Sequence, residues 1–325
     1  MRADITPHGR LQARFAVLAA LCGGVVLAGC RPGEKPAAAP PVTAWPVFTP
    51  ADGSNALARV AALCALGPRD AGTAGGVHAA AWLAEQIAAM GLSPRIDVFT
   101  NDTPSGPLAC RNVLVELPLS HVITCESNAW IVLLSHFDTK SGIATNFIGA
   151  NDGGSSSGLL LELAAQLQAA GPRPVGVLCA WLDGEECRVD FGPRDGLHGS
   201  RRLAAQLAAE GRTVKAVILL DMIGDRDLTV TLPATVTPAL ALLTLDAAQA
   251  AGVRDRFGLF DGRLLDDHQP FLDAGFPAVD LIDFRYGSAP GLNDYWHTPQ
   301  DTPDKLSATS LYTVGRVVCE MLRRL

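Results

Sequence analysis

The sequence predicts an α/β fold of three layers, α/β/α, around a mixed, mainly parallel central sheet. Three observations carry that expectation. Short apolar runs of strand length alternate along the chain with longer segments whose apolar residues recur at helical spacing. The run at 175–182 is continuously apolar, as a strand covered on both faces must be. Acidic and imidazole side chains follow directly where several strands stop, the place where ligands bind in such sheets.

The elements follow in order. Helical spacing predicts helices over 56–66 and 77–90, the second stopped by Gly91, with Leu66-Gly67-Pro68-Arg69-Asp70 as a turn-rich loop between them. Strands are expected at 95–99, 112–117 and 130–135. An amphipathic helix over 158–170 ends at Gly171 and leads into the strand 175–182. Helix 199–210, buried strand 214–220 and helix 238–251 come next. A strand at 278–282 and a closing helix over 308–325 complete the series.

The amino-terminal part reads differently. Arg2, Arg10 and Arg14 precede an apolar stretch over 15–27, which is shorter than the ~20 residues a comfortable membrane span needs. It ends in Leu27-Ala28-Gly29-Cys30, which resembles the lipobox of bacterial lipoproteins, whose Cys carries the lipid. Residues 1–30 are thus expected to be an export signal. Residues 31–50, rich in Pro and Ala, form a spacer, and 51–325 form one folded domain.

A formal net charge of −7, with no Lys/Arg run beyond the signal, argues against nucleic acid as a partner. The hydrophobic content of 48% supports a sizeable core. No CxxC spacing suggests a thiolate metal site, so the remaining cysteines are expected to be buried or paired. Cys110 and Cys125 flank a strand and are candidates to staple neighbours.

Chemistry concentrates at the strand ends. The strand at 130–135 runs into His136-Phe137-Asp138-Thr139-Lys140, and Asn151-Asp152-Gly153-Gly154 precedes a helix. The strand at 175–182 ends in Asp183-Gly184-Glu185-Glu186, the strand at 214–220 in Asp221, and much later comes Asp294-Tyr295-Trp296-His297-Thr298. Any one of these has a bland reading: Asp152 as a turn or cap residue, His297 as a satisfied structural histidine, Glu185 as a helix cap or partner of Arg188. Together they imply a ligand, because unpaired carboxylates at the ends of apolar strands are heavily penalised. Mixed His and carboxylate donors suit zinc. Neighbouring side chains in extended backbone point opposite ways, so one member of the Glu185-Glu186 pair can hold metal while the other faces substrate as acid/base.

These motifs, in this order and together with Leu220-Asp221-Met222-Ile223-Gly224, resemble the zinc aminopeptidase and glutaminyl-peptide cyclotransferase superfamily over roughly residues 55 to 325. The resemblance implies a zinc exopeptidase-like fold, with Asp152, Glu186 and His297 as zinc ligands and Glu185 as acid/base. It implies a second zinc at His136 and Asp221, bridged by Asp152, if the centre is dinuclear. The substrates it implies are peptide amino termini.

Features within the resemblance favour the cyclotransferase branch. His136-Phe137-Asp138-Thr139-Lys140 is similar to the cyclase form of the first motif, as is the stretch from Phe191 to Arg201. Leu265-Asp266-Asp267-His268 resembles the motif whose first Asp assists catalysis, and Trp296 matches a pocket aromatic. On this branch one zinc is expected, Asp221 and Asp266 join Glu185 in catalysis, and Phe191 and Trp296 bind substrate. Other features point to the aminopeptidase branch, with two metals. Asp280 stands where animal cyclases place a His, Phe191 replaces a Trp, and residues 151–158 look like the aminopeptidase form of that loop. A binding scaffold that has lost its ligands is a third reading, against which every candidate ligand is present.

Arg31 follows Cys30, with no Asp there to signal inner-membrane retention, so a Gram-negative host would carry the protein on its outer membrane. Replacing Cys30 with Ser is expected to release soluble protein or leave the precursor uncleaved. Fractionation and intact-mass measurement check this; unchanged processing and membrane retention would refute the anchor.

Overall fold

The computed structural model describes residues 45–117 and 129–325, so the signal, the lipobox at Cys30 and most of the spacer lie outside the described residues. An eight-stranded mixed sheet forms the middle layer. Its strands are β1 (Arg95–Thr103), β2 (Gly106–Leu117), β3 (Ala129–His136), β4 (Gly176–Leu182), β5 (Thr213–Asp221), β6 (Val230–Leu232), β7 (Phe257–Leu259) and β8 (Ala278–Ile282). They lie in the order β1-β2-β4-β3-β5-β8-β6-β7.

The central strands β4, β3, β5 and β8 run parallel, and the antiparallel pairs β1/β2, β2/β4 and β6/β8 flank them. The antiparallel β1/β2 edge follows from a tight connection: Thr103 pairs with Gly106 across the turn, and the Thr103 hydroxyl donates to Gly106 O at 2.7 Å. A connection that short can only join antiparallel neighbours.

Among the described residues seven helices cover the sheet: α1 (Pro50–Cys64), α2 (Ala74–Ala89), α3 (Gly154–Ala170), α4 (His198–Ala209), α5 (Pro238–Ala250), α6 (Gln269–Asp273) and α7 (Ala308–Arg324). The strands sort their side chains with period two. Ile131, Leu133, Val177, Cys179, Trp181, Ile218 and Leu220 pack in one cluster with α1, α2, α3, α5 and α7. Val132, Leu134, Leu178, Ala180, Leu182, Val217 and Leu219 pack in another with Leu203 and Leu207 of α4 and Phe271 of α6. A sheet buried on both faces explains why its central strands read as unbroken apolar runs.

The differences from the sequence-based expectations have local causes. α1 begins at Pro50 because Thr49 and Asp52 form a capping box ahead of the first apolar residue of the helix. α3 begins at Gly154, and its Ser155, Ser156 and Ser157 look polar in sequence but are fully buried. β6, β7 and α6 are too short to show a period. Phe48, within the expected spacer, is buried against Gly315 of α7. Cys64, Cys110, Cys179, Cys187 and Cys319 are free and buried, so Cys110 does not form the expected staple, and Cys125 lies outside the described residues. No described helix is long and apolar enough to cross a membrane.

α1 and α3 approach closely at Gly158, where an added Cβ would stand 2.4 Å from Val60 Cγ2 and 2.8 Å from Val60 N. Helix propensity alone would reward Gly158→Ala by up to about 1 kcal/mol. Here overpacking against backbone dominates, and the expected result is a loss of about 1–3 kcal/mol. Thermal or urea unfolding reads the sign; a stabilised variant would show that the helices are not so close.

Candidate active site and metal centre

The parallel strands place their carboxyl ends side by side. β3 stops at His136 and β5 at Asp221, while the turn after β4 carries Glu185 and Glu186. The segment from β3 to α3 delivers Asp152, and the segment between β8 and α7 delivers His297. Two donor clusters result, His136/Asp152/Asp221 and Asp152/Glu186/His297, with Asp152 common to both. His136 Nε2 lies 3.1 Å from Asp152 Oδ1 and 3.2 Å from Asp221 Oδ1. His297 Nε2 lies 3.3 Å from Asp152 Oδ2 and 3.0 Å from Glu186 Oε1.

Backbone geometry is strained here. Met222 and His297 hold φ at 49° and 53°, a left-handed region that side-chain-bearing residues enter at a cost of about 1–3 kcal/mol. Gly153 turns the chain at φ 72°, and a Cβ there would sit 2.9 Å from His136 Cε1.

Two buried carboxylates pin the ligand loops. Asp138 accepts the amides of Glu185 and Glu186, both at 3.2 Å, and faces His136 Nδ1 at 3.5 Å. Asp301 accepts the amides of Asn151 at 2.7 Å and Asp152 at 3.1 Å, and the Tyr286 hydroxyl donates to it at 2.8 Å. Asn151 Oδ1 in turn accepts the amide of Gly224, just beyond Asp221.

The electrostatics follow from this crowding. Burial opposes ionisation of Asp152, but the imidazoles of His136 and His297 hold its carboxyl well below the usual range. Burial pulls His297 down, and Asp152 and Glu186 overcome it to raise the imidazole to about 9. Burial, with Asp152 beside it, raises Glu186 to about 7. Burial and then the Glu186 charge push Glu185 well above the carboxylate range. Asp152 Oδ2 and Glu186 Oε2 are buried without a hydrogen bond. Nitrogen and carboxylate donors converging with orphaned oxygens fit a divalent cation. Lys140 Nζ stands 3.5 Å from Glu186 Oε2.

Above the second cluster opens a pocket of about 230 Å³, lined by Glu185, Phe191, Asp266, Phe284 and Trp296 among others. Trp296 stacks on His297 with centroids 4.0 Å apart and meets Phe284 edge-on at 5.0 Å. Asp266 touches the carboxyl of Asp280, and burial, followed by repulsion from neighbouring carboxylates, raises both well above their usual range. His268 Nδ1 stands 3.4 Å from Asp280 Oδ2, and its Nε2 meets the Thr235 hydroxyl at 3.1 Å. A larger cavity of about 440 Å³, beside Arg95, Glu116 and Arg212, contains none of the site residues.

The model of peptidase family M28 matches residues 112–322. The chain belongs to peptidase family M28. A mouse glutaminyl-peptide cyclotransferase-like protein is 30% identical over 266 residues, covering 73% of this chain and 66% of its own length. The crystal structure of a glutaminyl cyclase from an Acidobacteriales bacterium is 34% identical, with a TM-score of 0.76, covering 90% of this chain and 98% of that one. A Zn-dependent exopeptidase from Parabacteroides distasonis is 25% identical, with a TM-score of 0.74, covering 87% and 100%.

In this M28 member the fold brings together Asp152, Glu186, His297, His136 and Asp221, and lines the pocket with Glu185, Asp266, Phe191 and Trp296. Glu185 makes no ion pair with Arg188 among the described residues; that guanidinium reaches Ala71 O at 3.3 Å instead. Sequence reasoning quoted Asp138 and Arg69 without giving either a task and passed over Asp301. Asp138 sits inside a motif, which was a usable signal. Asp301 had none, since the ligand-loop amides it accepts lie about 150 positions away.

His297→Ala is expected to empty the Asp152/Glu186/His297 cluster while the fold persists. Metal content per chain and far-UV circular dichroism check this together. Full metal occupancy in a folded variant would overturn the ligand assignment.

Proposed function

We propose that this chain is a zinc-dependent glutaminyl-peptide cyclotransferase. It would convert the amino-terminal Gln of peptides to pyroglutamate with release of ammonia. The observation that carries the reading is the pocket itself: two carboxyls of raised pKa, Glu185 and Asp266, face a metal-type triad beneath an aromatic wall. The relatives and structural neighbours named glutaminyl cyclases support it. The sequence alone supports export and lipid anchoring at Cys30.

Asp152, Glu186 and His297 would hold the zinc, which supplies Lewis acidity toward the γ-carbonyl oxygen. Glu185 takes a proton from the α-amine as its nitrogen bonds to the γ-carbonyl carbon. It returns that proton to the amide nitrogen, which leaves as ammonia when the C–N bond breaks. A carboxyl of raised pKa suits both halves of this transfer, because it takes up a proton more readily than an ordinary carboxylate and can still give it back. Asp266, backed by Asp280, hydrogen-bonds the reacting nitrogen, and Asp221 adds negative charge beside it. Trp296, Phe191 and Phe284 hold the Gln side chain folded toward its own amine and keep bulk water away.

One observation favours a second reading. The cluster His136/Asp152/Asp221 is complete, as a dinuclear aminopeptidase would need, with zinc at both sites. The two readings separate by product. Incubating the protein with Gln-peptides and Leu-peptides should yield ammonia from the first and no free amino acid from either. Free Leu without ammonia would establish the hydrolase. Glu185→Gln should lower turnover by about 10²–10⁴-fold with zinc still bound. Turnover close to wild type would rule out its proton transfer.

A further inference from the structure

We propose that Arg69 is a positioning residue for the metal centre, its guanidinium fixing both ends of the loop that joins His136 to Asp152. Arg69 lies in the connection between α1 and α2, remote in sequence from every ligand, and is fully buried. Its Nε donates to Phe137 O at 2.7 Å, its Nη1 to Ile148 O at 2.7 Å and its Nη2 to Gly149 O at 3.1 Å. Phe137 directly follows His136, and Gly149 stands three positions before Asp152. One planar group therefore ties the point where the chain leaves one ligand to the point where it approaches the next.

The same segment makes a second tie. The Arg69 amide donates to the Thr139 hydroxyl at 2.8 Å, and that hydroxyl donates to Asp70 Oδ1 at 2.6 Å. Among the described residues Arg69 has no carboxylate at ion-pair distance. Its charge is offset by carbonyl dipoles and by the field of Asp301, Asp138 and Asp152. A buried guanidinium is expensive, at several kcal/mol of lost hydration. Lys offers a point charge in place of the fork and cannot meet three carbonyls in one plane.

The inference rests on the metal reading, and zinc affinity tests the two separately. Zinc dissociation constants of the full chain are measured by chelator competition for wild type, Arg69→Lys, Arg69→Met, Thr139→Val and Arg59→Met. Arg59 pairs with Glu162 between α1 and α3, away from the loop, and controls for general loosening. Removing such support is expected to weaken zinc about 10–100-fold in both Arg69 variants. Thr139→Val should weaken it less, and Arg59→Met should lower Tm with zinc affinity unchanged. Wild-type affinity in folded Arg69 variants, or in Thr139→Val if neither of those folds, overturns the proposal. So does equal weakening in Arg59→Met. A wild-type chain that binds no zinc overturns this proposal and the metal reading alike.

Discussion

Everything at this site depends on sharing Asp152 between two imidazoles. Its carboxylate reaches His136 from one oxygen and His297 from the other, at 3.1 and 3.3 Å, in a place almost closed to water. Buried charge at this density persists only if opposite charge meets it at close range. That requirement reaches outward. Asp301 must hold the amide of Asp152, Asp138 must hold the amides of Glu185 and Glu186, and Arg69 must stitch the intervening loop. The sheet supplies the rigidity: β4, β3, β5 and β8 hold their carboxyl ends in fixed register, with His136 opposite Leu182 and Asp221 opposite Ile282.

The core serves the same end from below. Trp181 donates its indole N–H to Ser157 O at 3.1 Å, and Ser157 donates its hydroxyl to His136 O at 2.8 Å. A strand of the core, the first turn of α3 and a metal-type ligand are therefore one connected structure. Packing that tolerates little volume change transmits a displacement in any of them to the others.

The sequence revealed the central elements because burial on both faces leaves an unmistakable apolar run, as at β4 and β5. It pointed to His136, Glu185, Glu186 and Asp221 because polar groups abruptly follow such runs, whereas Asp152 and His297 lie in loops and stood out as candidates through the resemblance of their motifs. It was silent on β6 and β7, whose three residues each carry no period. The buried serines of α3 misled the reading of its start, since Ser155 bonds Asn151 O one turn back and Ser157 bonds His136 O on β3, which the sequence does not place nearby. Arg69 was read as part of a loop because nothing local distinguishes a buried arginine from a solvated one. Its partners are backbone carbonyls about 70–80 positions away, and carbonyls have no sequence signature. Supporting groups defined by backbone contacts are the class that sequence reasoning misses.

Cyclisation and hydrolysis both need a polarised carbonyl, the side-chain γ-carbonyl in one and the scissile peptide carbonyl in the other, and they differ also in what attacks it. Hydrolysis needs an ordered water at the metal, whereas cyclisation needs that water absent and the substrate's own amine folded back. The aromatic wall bears on the difference. Trp296 stacks on His297, and Phe284 meets its edge, so one side of the pocket is apolar. Opposite stand Glu185 and Asp266, protonated more readily than ordinary carboxyls because burial disfavours their charge. Asp280 touches Asp266, and burial followed by the neighbouring carboxylates raises its carboxyl well above the usual range, so this pair holds a proton more readily than two separate carboxylates would. A pocket of about 230 Å³ that sets an aromatic wall beside acid–base groups suits a short, uncharged Gln side chain bent onto its amine, and that fit is what favours the proposed cyclisation.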